Sequence, residues 1–264
     1  MLKHIVQEKY AQVQRDKEQR PLAELMEVLE QGTFAFSRAL RGTDWALIAE
    51  CKLASPAKGR LCTKHSVPEL AQIYEQNGAR ALSVHTDPHF CGKLADLADV
   101  RAVSSLPILR KDFMIDPYQI YEARAAGADC ILLIAAVLDD DQLRSFIDIA
   151  HELGLDCLLE VHSQVELERV NQLDARIVGI NNRDLNTFTT HIETTFKLRP
   201  YCREGRLMIS ESGVKTGRDA KLLKNAGLRG ILVGEGLVTA KNIAQQTQEF
   251  ALKITETGGK KDVQ

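Results

Sequence analysis

The feature that most constrains this chain is an alternation. From Ala46 onward, eight short apolar runs recur at 46–49, 81–84, 107–109, 131–134, 157–159, 177–180, 207–209 and 230–233. Each is too short for a helix and apolar at consecutive positions. Such runs suit strands covered on both faces, as in a parallel sheet. Between them, stretches 67–77, 117–126, 139–153 and 163–173 carry apolar residues at helical spacing. Gly78, Gly127, Gly154 and Gly227 stand just past such segments, where a helix commonly ends in the left-handed conformation. Eight βα units over roughly 220 residues match an α/β architecture, the (β/α)8 TIM barrel, in number and size. An open doubly wound sheet is the competing solution. It usually has fewer strands and carries a glycine-rich first turn that this sequence lacks.

The alternation also divides the chain. Residues 1–45 read as an N-terminal helical extension packed on the barrel, 46–254 as the barrel, and 255–264 as a frayed polar tail. Within the extension, Ile5, Tyr10 and Val13 share one helical face. Pro21 opens a second helix through Leu22, Leu25, Met26 and Leu29, which Gly32 stops. Phe34, Phe36 and Leu40 form an apolar strip that must cover something else.

Charge bears on partners. With 34 Lys and Arg against 36 Asp and Glu, the net charge is -2, which excludes a general nucleic-acid binder but not a site for a small anion. No apolar run approaches the roughly 18 residues of a membrane span. The first residues are charged and lack a signal-peptide core. Cys51, Cys62, Cys91, Cys130, Cys157 and Cys202 form no CxxC pair, and reduced core filler in a cytoplasmic protein is their expected role. The expected assembly is a monomer or weak homodimer.

Barrel sites lie at the C-terminal ends of the strands. Glu50, Lys52, Lys111, Glu160, Asn181 and Ser212 all fall there. Two lysines and two glutamates around one mouth make an acid/base set whose proton affinities can be driven apart. The plainer alternative is a pair of ion pairs that only hold the barrel top together. Ser212–Gly213 and Gly234–Glu235–Gly236 follow the last two runs, where barrels bind phosphate through backbone N–H groups. Glu235 is expected to offer its N–H and turn its side chain away. His85, His89 and Cys91 invite a metal, but Pro88 breaks helical spacing and no carboxylate completes a set, so no metal or cofactor is expected. His151 and His162 read as surface or helix-end residues, and Tyr118 and Tyr121 as packing for a helix against the barrel. Arg110 and Asp112 read as structural neighbours of Lys111.

The stretches LIAECKLASPAKG, SVHTDPHFCG, LPILRKDFMIDPYQIYEARAAGAD, LLEVH, IVGINNRDLNTF, ISESGV and ILVGEGL together resemble the indole-3-glycerol-phosphate synthase family, in family order from Leu47 to Leu237. The resemblance implies a cofactor-free carbon–carbon lyase of tryptophan biosynthesis. Its reaction closes the indole ring of 1-(2-carboxyphenylamino)-1-deoxyribulose 5-phosphate with loss of CO2 and water. Carried over by motif, Lys111 is implied as the general acid that protonates the substrate carbonyl. Glu160, Glu50 and Lys52 would hold the anthranilate end and share proton transfer during dehydration. Asn181 and Arg183 would orient the substrate's polar groups, with Ser55 and Ser212 flanking it and Phe113 lining the aromatic pocket. Gly213, Gly234 and Glu235 would supply phosphate-binding backbone. The chain departs from the family pattern at Ala57, at Cys91 and at His85, where the family more often has Leu. A paralogue that cyclises an indole β-keto acid with decarboxylation, in a natural-product pathway such as scytonemin synthesis, would keep the same catalytic set.

Overall fold

The computed structural model describes residues 2–184, 187 and 189–254. The stretch 255–264, expected to fray, lies outside the described residues, as do Met1, Leu185, Asn186 and Phe188.

Three helices precede the barrel: α1 (Leu2–Gln19), α2 (Leu22–Glu27) and α3 (Ala35–Arg41). The barrel opens with β1 (Ala46–Cys51), followed by a small antiparallel hairpin of β2 (Ala54–Ser55) and β3 (Gly59–Arg60). The remaining barrel strands are β4 (Ala81–His85), β5 (Ile108–Lys111), β6 (Cys130–Ile134), β7 (Asp156–Val161), β8 (Ile177–Asn181), β9 (Leu207–Glu211) and β10 (Gly230–Val233). All pair in parallel with their sequence neighbours, and β10 pairs with β1 to close the ring. Closure removes the sheet edges. The outer helices are α4 (Val67–Gln76), α5 (Ala95–Arg101), α6 (Tyr118–Ala125), α7 (Asp140–Glu152), α8 (Gln164–Asn171), α9 (Glu193–Leu198), α10 (Gly217–Asn225), α11 (Glu235–Val238) and α12 (Ile243–Phe250). Capping boxes at Ser66, Asp139 and Thr216 fix where α4, α7 and α10 begin. In β1, β4, β5, β7, β8 and β9 the strand runs on past its apolar residues into the polar ones, because the ladder pairs backbone whatever the side chain.

Side chains alternate in and out of the ring. The inner set includes Ala46 and Ile48, Ala81, Leu109, Cys130, Leu132 and Ile134, Leu158, Ile177, Leu207 and Ile209, and Leu232. These pack with Phe36 and Leu40 of α3, so the apolar strip expected of this segment fills the N-terminal end of the barrel. The Ser37 N–H donates to buried Asp156 Oδ2 at 2.7 Å and pins that plug to β7. A larger cluster lies between the strands and the outer helices.

The extension differs in detail from the sequence reading. Ile5 and Val13 are buried, but Tyr10 is 51% exposed. Its helical phase puts it on the far side of α1, away from the face that meets the barrel. Helix α2 ends at Glu27, well before Gly32, with Leu22 and Met26 exposed. Gly32 does a different job. Its N–H donates to Leu153 O at 2.9 Å, and a Cβ there would lie 2.4 Å from Gly154 O. Phe34 stays out of the plug, meeting His151 edge-on and lying under the Arg176 guanidinium. Tyr118 packs α6 against the extension as well: its hydroxyl lies 3.1 Å from Asp16 O and 2.8 Å from Arg20 O. Cys51, Cys130 and Cys157 are buried free thiols, whereas Cys91 is exposed on the loop after β4.

Candidate active site

The inward parity of each strand ends at the mouth. On β1 it runs Ala46, Ile48, Glu50; on β5, Leu109, Lys111; on β7, Leu158, Glu160; on β9, Leu207, Ile209, Glu211. The same period brings His85, Asn181 and Gly234 to the rim. The outcome is a ring of charge laid on an apolar plug.

Lys111 is its centre. Its Nζ lies 3.0 Å from Glu160 Oε2 and 2.6 Å from Glu211 Oε2. Glu50 forms a second group, with Oε1 3.2 Å from Lys52 Nζ and Oε2 3.2 Å from His85 Nε2. Two glycines make room for these carboxylates. A Cβ on Gly179 would sit 2.0 Å from Glu211 Oε1, and one on Gly234 2.2 Å from Glu50 Oε1. Above the ring opens a cavity of about 650 Å³. Glu50, Lys52, Ser55, Lys111, Phe113, Glu160, Asn181, Arg183, Ser212, Gly213, Gly234 and Glu235 all line it, so every sequence-derived candidate meets in one place. Leu2 and Ile5 of α1 close part of its rim.

Local structure explains the placements. Lys111 and Phe113 straddle Asp112, whose Oδ1 accepts from the Phe113 N–H at 2.8 Å. Asp112 is in turn held by Arg110 and by the Thr86 hydroxyl, in keeping with a structural role for the Arg110–Asp112 pair. Ser55 sits in the β2–β3 hairpin, where its Oγ accepts from the Lys58 N–H. Ser212 adopts a left-handed φ of 62° and Gly213 one of 79°, which turns the chain sharply off β9. Asn182 Nδ2 donates to Ser210 Oγ, Glu211 O and Ser212 O and fixes that turn. The Glu235 carboxylate does not turn clear of the site. It is neutralised by Lys58 Nζ at 2.5 Å, and both residues line the cavity.

Burial disfavours every charge here, and pairing decides which survive. Burial alone would lower Lys111, but Glu160, Glu211 and Glu50 outweigh it and hold the ammonium well above the usual lysine range. Burial would raise Glu50, yet Lys52 and His85 keep it well below the carboxylate range. Glu160 is likewise depressed against burial, by Lys111 and His162. Glu211 goes the other way. Burial and the neighbouring Glu160 charge outweigh Lys111 and push it up to about 7. His85 is lowered, first by burial, against the pull of Glu50. Before substrate binds, the mouth therefore holds an ammonium, two carboxylates and one carboxyl poised near neutrality. That is a proton-handling set.

Two members escaped the sequence reading. Glu211, one residue before the candidate Ser212, is the side chain that β9 brings into the mouth. The period of two settles the choice, because Leu207, Ile209 and Glu211 share the inward face. His162 is not a surface residue: its side chain is 9% exposed, with Nε2 3.3 Å from Glu160 Oε1. Its position just before α8 suggested a helix end, which it is, but that end lies against the mouth.

The family model described as Indole-3-glycerol phosphate synthase matches residues 2–250. Proteins named indole-3-glycerol phosphate synthase are similar along most of the chain. The one from Alkaliphilus metalliredigens is 44% identical over 95% of this chain and 97% of its own. The one from Legionella pneumophila (strain Paris) is 43% identical over 95% and 98%, and that from Desulforamulus reducens 50% identical over 78% and 79%. Among solved structures, a 3-hexulose-6-phosphate synthase superposes with a TM-score of 0.63 at 15% identity, over 79% of this chain and 99% of that one. Orotidine 5'-phosphate decarboxylase from Pyrococcus horikoshii gives 0.60 at 15%, over 78% and 97%. At such identities these two speak to the barrel fold alone.

Proposed function

The chain belongs to the indole-3-glycerol phosphate synthase family, and from that premise we propose that it closes the indole ring of 1-(2-carboxyphenylamino)-1-deoxyribulose 5-phosphate. The products are indole-3-glycerol phosphate, CO2 and water, in tryptophan biosynthesis. The observation that carries this reading is Lys111, an ammonium held at 3.0 Å and 2.6 Å by two carboxylates at the floor of the cavity. Ring closure needs an electrophile, and a positioned acid makes one by protonating the ketone. Lys111 is that acid. Its Nζ–H bond breaks as an O–H bond forms on the substrate carbonyl oxygen. The ring carbon bearing the carboxylate then attacks, and loss of CO2 restores aromaticity. Dehydration follows, with Glu160, Glu50 and Lys52 as the groups that hold the anthranilate end and move protons.

The two ends of the substrate must be brought together, which is a problem of proximity. Gly213, Gly234 and Glu235 hold the phosphate through backbone N–H groups at one side of the mouth, where Lys58 and Lys215 also line the cavity. Phe113 supplies the aromatic wall at the other. Ser55, Asn181, Arg183 and Ser212 orient the polar chain between them. The shared name of the relatives favours this substrate over the indole β-keto acid of a natural-product paralogue. No helix among the described residues is long and apolar enough to cross a membrane, and we place the enzyme in the cytoplasm as a monomer or weak homodimer.

Incubating the pure protein with the ribulose phosphate should release a product with indole fluorescence. A folded sample that yields none overturns the reading. Lys111→Ala should lower kcat by about 10²–10⁴-fold while circular dichroism stays that of the parent. Undiminished turnover in that variant would remove Lys111 from its role.

A further inference from the structure

Each of the two standing anions at the mouth has a histidine against it, and the two histidines are set in opposite surroundings. His85 faces Glu50, but Lys52 and Lys111 also bear on it, and its ring is stacked on Phe90 with centroids 4.4 Å apart. His162 faces carboxylates on both sides. Its Nε2 lies 3.3 Å from Glu160 Oε1 on β7, and its Nδ1 lies 3.4 Å from Glu166 Oε2 on α8. Glu166 is itself fixed. It accepts from the His162 N–H at 2.8 Å and from the Ser163 hydroxyl at 3.0 Å, while Ser163 caps α8. The local sequence His162-Ser163-Gln164-Val165-Glu166 thus builds a rigid bracket for one imidazole.

The contacts form a line of five groups: Glu166, His162, Glu160, Lys111 and Glu211. Carboxylates alternate with cations along it, and the Glu160 and Glu211 carboxyls also meet each other beside Lys111. Glu160 and Glu211 are both buried and both bonded to Lys111, so by those features they would compete on nearly equal terms for one proton. His162 breaks the tie, because it stands beside Glu160 alone.

We infer that His162 is a positioning residue: as imidazolium it holds Glu160 as the standing anion beside Lys111, and so makes Glu211 the carboxyl that gives up and regains a proton in each turnover. The inference rests on the ring closure proposed above. In it, Lys111 gives its proton to the substrate carbonyl oxygen. The Glu211 O–H bond then breaks as its proton passes to Lys111 Nζ, leaving a carboxylate. Glu211 recovers a proton from water. That uptake of one proton balances the carboxylate charge, whose electron pair stays on the ring when neutral CO2 departs. The later loss of water is proton-neutral, since a C–H proton and the hydroxyl depart together. A protonated Glu211 also removes one of the anions that hold Lys111 so basic, so the ammonium becomes a better acid when it is needed.

The electrostatics agree with this geometry. Burial works against the His162 imidazolium, but Glu160 and Glu166 outweigh it and push it up to about 9, while Glu211 is pushed up to about 7. His162 is therefore charged while Glu211 exchanges.

His162→Gln tests the assignment, because glutamine leaves an N–H donor near Glu160 and removes the charge. The acidic limb of the kcat profile should move up by about one pH unit or more, a tenfold change in proton affinity, with KM altered by less than about threefold. An acidic limb that stays in place while kcat drops evenly at every pH makes His162 merely structural and overturns the inference. A second readout needs no turnover. Long-range proton–nitrogen NMR of the free protein should find His162 titrating near 9 and moving down toward 6.5 in Glu160→Gln. A parent His162 that titrates near 6.5 overturns the inference even if His162→Gln folds poorly. A parent enzyme that makes no indole instead sinks the ring-closing reaction, and leaves the NMR result to decide the role of His162.

Discussion

Gly179 and Glu211 are a matched pair on adjacent strands. Gly179 lies opposite Ile209 in the β8–β9 register, one inward step below Glu211. An alanine there would put its Cβ 2.0 Å from Glu211 Oε1 and 2.7 Å from Leu158 Cδ2. Leu158 lies in the packed barrel interior, so the Glu211 side chain is the neighbour that must shift. Gly179→Ala should therefore cost about 1–3 kcal/mol and displace Glu211 from Lys111. The measurement is a urea titration paired with kcat. A variant of parental stability and parental kcat would show that the interior has slack that this packing denies. The sequence signals such a glycine only faintly, as a break in the apolar run Ile177-Val178-Gly179-Ile180. Its meaning appears once the carboxylate that fills the gap is known.

At the scale of elements, α1 is tied to the mouth by one side chain. Lys9 is buried, with Nζ 2.7 Å from Asp87 Oδ2 and 2.7 Å from Asp112 Oδ1. Asp87 belongs to the loop after β4 and Asp112 to the segment that carries Lys111 and Phe113. The helix that looked like an appendage therefore fixes two active-site loops and adds Leu2 and Ile5 to the cavity rim. Lys9→Met would take their shared cation from two buried carboxylates, of which Asp112 keeps Arg110. We expect a loss of about 3–5 kcal/mol and a fall in kcat/KM of tenfold or more, of the kind that small misplacements of catalytic groups produce. Chemical denaturation and steady-state kinetics check both. Kinetics unaffected by the substitution would reduce α1 to a passive cover. The sequence reading placed Ile5, Tyr10 and Val13 on one face of α1 from their spacing, and of these Ile5 and Val13 are buried while Tyr10 is exposed. Lys9 stands four residues from each of the buried pair, on that same face, but nothing local shows the carboxylates that let its charge be buried there.

For the whole molecule, the buried charges set how stability follows pH. Glu50, Glu160 and Asp112 are all lowered, their cations outweighing burial. Each contributes stability that is complete above the ordinary carboxylate value and is lost as pH falls through the lowered one. Glu211 and His162 are raised. The Glu211 contribution is complete below 4.5 and lost as pH climbs through about 7. That of His162 is complete below 6.5 and lost through about 9. The urea midpoint should thus be highest near about pH 5–6 and decline on both sides. A midpoint that keeps rising from pH 6 to pH 9 is incompatible with these assignments.

By itself the sequence determined the eight strands, the helices between them and the end of the barrel at which chemistry gathers. Those features are periodic and local: a parallel strand must be apolar on both faces, a helix must repeat its apolar stripe, and the polar residues at Glu50, Lys52, Lys111 and Glu160 mark where each run leaves the core. Tertiary structure alone decided which charges meet. Lys111 and Glu211 are 100 positions apart, Lys9 reaches Asp87 and Asp112, and His162 turns inward to Glu160. Electrostatic pairing acts over a few ångströms between side chains that only closure of the ring brings together. No local pattern encodes that, so the partners of Lys111 are a property of the closed barrel.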